Sequence, residues 1–256
     1  MSALVLAAHG ARSAEWEQVL CTLTARVRRM RPGRRVELGF LELSSPPLAG
    51  VLASIPGPAV IVPLLLAGGY HVHIDLPSIV GRARTGSDAV VARPLGPHAR
   101  LTSILARRLA AAGLRTGDAV ILGAAGSSDP AALDDVRAQA RLLSVRLSRP
   151  VTAAFASCGT PSIAEALARA RSGPAPRIVV ASYLLAHGHF HDRLLTSGAD
   201  LVTAPLGVDD DLAALVWARH DEALPGAYTA DRRSSVTISL AASSRVGPTS
   251  GPTNIS

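Results

Sequence analysis

The chain of 256 residues is 48% hydrophobic and 18% charged, enough apolar material for one large core or two smaller ones. All 26 basic residues are arginine, which excludes Schiff-base chemistry and a P-loop lysine, and the net charge of +7 accompanies only 3% aromatics, which argues against a nucleic-acid surface. The two cysteines, Cys21 and Cys158, lie far apart with no CxxC pair, so a reducing compartment is expected and a disulfide framework or zinc ribbon is not.

In chain order, short apolar runs alternate with amphipathic Ala/Leu/Arg segments. The N-terminal MSALVLAAHGA has no basic lead and only a short apolar run, so it reads as a buried first strand over 4–8 rather than a signal peptide. A helix is expected over 15–30, where Trp16, Val19, Leu20, Leu23 and Val27 recur at helical spacing. A strand over 36–41, a short helix over 47–55 and a third strand over 60–66 follow, the last a continuous apolar run that fits burial on both faces. Asp75 is placed to cap a helical turn starting near Pro77. A fourth strand over 89–92 and a helix over 98–112, closed by Gly113, complete the series. Such βαβα order gives a parallel sheet with helices on both faces. No apolar run reaches the roughly 18 residues that span a bilayer, and a cytoplasmic protein with no membrane or nucleic-acid partner is expected.

The pattern then restarts, with strands over 120–124, 151–156 and 178–185 and a helix over 131–147. FLELSSP at 40–46 sits against FASCGTP at 155–161, Pro94-Leu95-Gly96 against Pro205-Leu206-Gly207, and Leu66 to Gly69 against Leu185 to Gly188. A period of about 115 residues is too long for a solenoid. The expected fold is α/β: two duplicated parallel-sheet, flavodoxin-like domains, residues 1–116 and 117–227, with a cleft between them as the pocket. The Ser/Thr/Gly/Pro-rich tail, 228–256, has a composition expected to be disordered. A duplicated chain builds its cleft without a partner, so a monomer is expected.

The copies differ where chemistry is expected, beyond the carboxyl ends of strands. Aligning Gly10 with Gly126 sets His9 against Ala125, and aligning Gly69 with Gly188 sets His71 against Phe190. Histidines that only packed the fold would be kept equally in both copies. Their loss from one points to a single site served by the first half. His73 shares strand parity with His71 but reads as solvated. His187, His189 and His191 form a His-rich run that can bind metal or simply line a solvated or substrate-facing loop.

AAHGAR at 7–12, FLELSSP at 40–46 and PLLLAGGYHVHIDLP at 63–77 resemble the class II chelatases that insert a metal into sirohydrochlorin, the kind named CbiX and SirB. GSSDP at 126–130 and ASYLLAHGHFHDRL at 181–194 resemble the degenerate half of the two-domain members. The resemblance implies a chelatase fold and a lyase that inserts Co²⁺ or Fe²⁺ for cobalamin or siroheme biosynthesis. It also implies two metal-binding histidines, matched by His9 and His71, and an accessory carboxylate matched by Glu42. The metal is then a substrate, with Ni²⁺ or Zn²⁺ also suited to such ligands, and no organic cofactor is expected. Imidazole titrates near neutrality, so a histidine can also accept a pyrrole proton. Glu42 reads either as that site carboxylate or as an ion pair at the domain interface. Sirohydrochlorin is an anionic tetrapyrrole carrying eight carboxylates, and Arg12 and Arg82 are candidates to steer it.

Two other functions compete with this reading. One is a non-catalytic metal or tetrapyrrole carrier on the same fold. The less favoured is a histidine phosphatase, which would need an arginine where Ala8 stands.

Overall fold

A computed structural model describes residues 2–69, 74–83 and 89–224. The segment holding His71 and His73, and the tail 228–256, lie outside the described residues.

The first half runs β1 (Ala3–Ala8), α1 (Ala14–Met30), β2 (Val36–Phe40), α2 (Leu48–Ala53), β3 (Ala59–Pro63), α3 (Leu76–Ala83), β4 (Ala89–Val91) and α4 (Ala99–Ala111). The second runs β5 (Ala119–Ala124), α5 (Pro130–Leu147), β6 (Val151–Phe155), α6 (Ile163–Arg171), β7 (Ile178–Tyr183), α7 (His189–Leu195), β8 (Leu201–Val202) and α8 (Asp210–Glu222). Each half forms a four-stranded parallel sheet, in the orders β2-β1-β3-β4 and β6-β5-β7-β8. The strand order reverses between β1 and β3, and again between β5 and β7. A crevice opens at the carboxyl ends at each such switch point.

Local chemistry accounts for the helix starts. Ser13 accepts from the Trp16 amide and Asp129 from the Ala131 amide, with Pro130 opening α5. Ser162 and Glu165 form a reciprocal capping box on α6. Asp75 immediately precedes α3, which begins at Leu76.

Alternation along each strand divides the apolar residues between two faces. Ala3, Val5 and Ala7 pack with Leu48, Leu52, Leu76 and Val80, so α2 and α3 cover the outer face of the first sheet. Ile121, Val180, Ile163 and Leu167 form the matching outer layer of the second. Leu4, Leu6, Val60 and Val62 on one sheet and Val120, Leu122, Val179 and Ala181 on the other belong to a single core shared by both halves. The last helix of each half crosses over: α4 packs against β7 and α5, and α8 packs against β3 and α1.

β3 and β7 stop earlier than their apolar runs suggest, at Pro63 and Tyr183. For β3 the reason is pairing. β4 ends opposite Ile61, so Pro63, with no amide hydrogen, falls where β3 has lost that neighbour. The helices α6, α7 and α8 and the strand β8 were not expected from local pattern. No helix among the described residues is long and apolar enough to cross a membrane.

Candidate functional site

Pairing between β1 and β2 continues past the ends of both strands, and this builds the site. The Leu41 amide donates to Ala8 O at 2.8 Å and the Glu42 amide to His9 O at 3.0 Å, so Glu42 is carried alongside His9. Gly10 then turns the chain with φ +103°, and a Cβ there would lie 1.7 Å from Glu42 O. Only glycine permits both the conformation and the approach. Leu43 also takes a left-handed φ of +63°, and Ser44 Oγ bonds both the amide and the carbonyl of Ala11 at 3.1 Å. Together these contacts hold His9 Nε2 and Glu42 Oε1 3.2 Å apart, with both side chains reaching solvent. Among the described residues, Glu42 is thus paired with His9.

The second half repeats the backbone without the chemistry. The Ser157 amide donates to Ala125 O at 2.8 Å, and Gly126 turns with φ +100°. Ala125 stands for His9 and Ser157 for Glu42.

His9 opens onto a cavity of about 460 Å³ between the two halves. Residues 64–69 after β3 form one wall, and residues 124–128, Leu133, Val136, Leu184 and Leu185 form the other. Trp16 and Phe190 also line it, and a Cβ on Gly188 would sit 4.0 Å from the Trp16 ring, so the indole reaches the opposite half. The lining is mainly apolar, with His9, Ser127, Ser128, Tyr183 and Trp16 as the lining side chains that carry a polar atom.

Two hydrogen bonds tie the halves together beside this cavity. Tyr183 Oη donates to Leu66 O at 2.8 Å, and the Gly68 amide donates to Asp135 Oδ2 at 2.8 Å. Burial, and then the charge of Asp135, push the Tyr183 phenol far above its ordinary value, so it stays protonated as a donor.

The structure places the other expected residues less centrally. Arg12 is exposed just before α1 and does not line the cavity. Arg82 is exposed in the last turn of α3, a helix that runs back from the carboxyl edge of the sheet, so it is carried away from His9. In the His-rich run, His191 is buried, with Nε2 3.2 Å from Thr203 O and its ring 4.5 Å from that of His187, while His187 and His189 are exposed. Among the described residues no three His, Cys, Asp or Glu side chains converge to hold a metal ion. Sequence reasoning missed Trp16, which reads as a core position of α1, and Asp135 and Tyr183, whose partners lie in the other half.

Known proteins resemble this chain in sequence and in fold. Sirohydrochlorin cobaltochelatase of Sulfolobus acidocaldarius is 28% identical over 109 residues, 41% of this chain and 87% of that protein. Sirohydrochlorin ferrochelatase of Priestia megaterium is 28% identical over 234 residues, 84% of this chain and 88% of that protein. The solved structure of SirB from Bacillus subtilis with Fe³⁺ has the same fold, with a TM-score of 0.75 and 21% identity over 87% of this chain and 96% of that one. The CbiX family model matches residues 3–112 and again 119–223, both copies of the duplicated sheet, and the chain belongs to the CbiX family.

Proposed function

We propose that this protein inserts a divalent metal, Co²⁺ or Fe²⁺, into sirohydrochlorin. The observation that carries the reading is the His9–Glu42 pair, held 3.2 Å apart at the carboxyl end of β1 and opening onto an apolar cavity between the halves. Family membership and the relatives' names agree with it. The first half, 1–116, carries the chemistry, and the second, 117–227, supplies the opposite wall.

Metallation exchanges two pyrrole protons for one metal dication. The apolar walls suit a flat macrocycle, and His9, which opens onto the same cavity, is the imidazole proposed to meet the ring's nitrogen centre. His9 and His71 are the metal ligands, and two imidazoles leave coordination positions open for transfer to the ring. Glu42, within reach of His9 Nε2, orients the imidazole and balances its positive charge when His9, having passed the metal to the ring, accepts one pyrrole proton, the second leaving to solvent. Arg12 and Arg82, both exposed, act as long-range attraction for the anionic substrate and not as contacts. Ni²⁺ and Zn²⁺ suit the same ligands. We also propose a cytoplasmic location, and a monomer, since a duplicated chain can build its cleft without a partner.

Anaerobic spectrophotometry with sirohydrochlorin and Co²⁺, then Fe²⁺, tests the proposal. Wild type is expected to consume the free-base spectrum over many turnovers, with His9→Ala and His71→Ala slowed about 100-fold or more and Glu42→Gln less. Stoichiometric binding without turnover for every metal would replace the enzyme with a carrier.

A further inference from the structure

We infer that the second half, having lost both imidazoles, serves the first as a positioning clamp: Asp135 and Tyr183 fix the segment 66–68 that leads into His71. The inference rests on the proposed chelatase site. Its geometric basis is a pair of bonds two residues apart on one strand-end loop, Tyr183 Oη to Leu66 O and Gly68 N to Asp135 Oδ2, each 2.8 Å. The surrounding packing is built to admit them. A Cβ on Gly96 would lie 2.1 Å from Tyr183 Oη and 2.2 Å from Leu66 O, so glycine there lets the phenol reach its acceptor. Gln139, one turn beyond Asp135, accepts from the His98 amide and donates to Thr102 Oγ1, both at 2.8 Å, and anchors the adjoining turn.

These anchors run in one direction. The helix caps Ser13 and Asp129 are equivalent, which sets Val19 of α1 against Asp135 and Leu23 against Gln139. Aligning Leu66 with Leu185 sets Leu64 against Tyr183. All three polar anchors thus face apolar counterparts in the half that carries His9 and His71. A contact needed only to join the halves would be expected in both copies, whereas one that serves the site is needed once. The physical value of the clamp is plain at Gly68-Gly69, the pair with the most backbone freedom to lose. Fixing it before substrate arrives removes an ordering cost from the reaction, and a charge-assisted bond from a carboxylate is well suited to do so.

The test compares Asp135→Ala, Asp135→Asn and, as control, Asp134→Ala, a neighbour that is exposed and paired with Arg137. Two quantities are measured: steady-state Co²⁺ insertion into sirohydrochlorin, and amide exchange at Gly68 in the substrate-free protein. Asp135→Ala is expected to lower kcat about tenfold or more with KM changed less than about twofold, and to speed exchange at Gly68. Asp135→Asn keeps an oxygen that accepts the same amide and is expected to restore most of both, and Asp134→Ala to match wild type. If Asp135→Ala does not fold, Tyr183→Phe applies the same kcat criterion at Leu66. Equal losses in the Ala and Asn variants, or unchanged exchange at Gly68 in Asp135→Ala, would overturn the clamp. Absence of turnover in wild type would defeat the chelatase reading, while the exchange comparison would still decide the clamp.

Discussion

Arg108 and Arg219 make the same hydrogen bond in opposite directions. Arg108 of α4 donates to Leu206 O at 2.8 Å, and Arg219 of α8 donates to Leu95 O at 3.0 Å. Leu95 and Leu206 belong to the repeated Pro-Leu-Gly turn, so each half's last helix pins the same turn of the other half. The exchanged helices bury one core between the sheets, and the arginines satisfy turn carbonyls that this burial cuts off from water.

Arg219 carries more of this load than Arg108. Its side chain is only 4% exposed and also donates to Pro94 O at 2.8 Å and to Glu222 at 2.9 Å. Arg108 is half-buried, and its Nε has no hydrogen-bond partner among the described residues. Arg219→Met is therefore expected to cost about 3 kcal/mol, since it leaves buried carbonyls unpaired, and Arg108→Met about 1 kcal/mol. Urea unfolding of the two variants checks the order, and equal losses would contradict the assignment.

Gly10 and Gly33 both have positive φ, +103° and +84°, but only Gly10 is crowded. An alanine at 33 meets nothing within 4 Å and is expected to cost about 1 kcal/mol of backbone strain with normal turnover. At position 10 the added methyl must displace the Glu42 carbonyl, which separates the His9–Glu42 pair, so Gly10→Ala is expected to slow metallation about 100-fold. Gly126→Ala distinguishes site from fold. Its Cβ would lie 2.1 Å from Cys158 O, so the protein is destabilised similarly, but the His9–Glu42 pair does not depend on that loop: kcat per folded molecule should hold, with the disturbed cavity wall read out in KM for sirohydrochlorin.

Much of this was legible in the sequence. Short apolar runs gave β1, β2 and β5, and the broken symmetry between His9 and Ala125 pointed to the carboxyl end of β1, where the cavity opens. Other features leave no local trace. β8 is two residues, Leu201–Val202, too short for any period to appear. The crossing of α4 and α8 is hidden because an amphipathic stripe states that a helix is buried, not which sheet buries it. Asp135 reads as one more acidic residue on a helix surface until Gly68, far away in sequence, is brought beside it. Arg82 misled for the converse reason: it follows the site motif closely in sequence, yet α3 carries it back along the sheet.

His98 gives a pH dependence with a definite sign. Its Nδ1 accepts from the Arg100 amide at 3.1 Å and caps α4, which requires an unprotonated nitrogen. Burial first, and then the charge of Arg219, lower its pKa from the ordinary 6.5. The unfolded chain therefore takes up this proton before the folded one, and stability falls as pH drops below about 6.5 until the folded group titrates too. His98→Asn keeps a capping oxygen and removes the proton, so its unfolding free energy is expected to be flatter than wild type from pH 6.5 downward. Parallel curves for the two proteins would assign the slope elsewhere.

Phe190 stands where the first half has His71, so the second copy exchanged an imidazole for an apolar wall. It lines the cavity and is 38% exposed, so its ring presents apolar surface to whatever the cavity binds. A ring that contacts the flat macrocycle but no reacting atom stabilises the bound substrate and the transition state equally. Phe190→Ser is therefore expected to raise KM for sirohydrochlorin about tenfold, leave kcat nearly unchanged and leave KM for Co²⁺ unaltered, with Phe190→Leu intermediate. A fall in kcat at constant KM would instead put Phe190 in the transition state. That would mean the second half had kept a part in the chemistry without counterparts of His9 and His71, contrary to a division in which one copy reacts and the other holds.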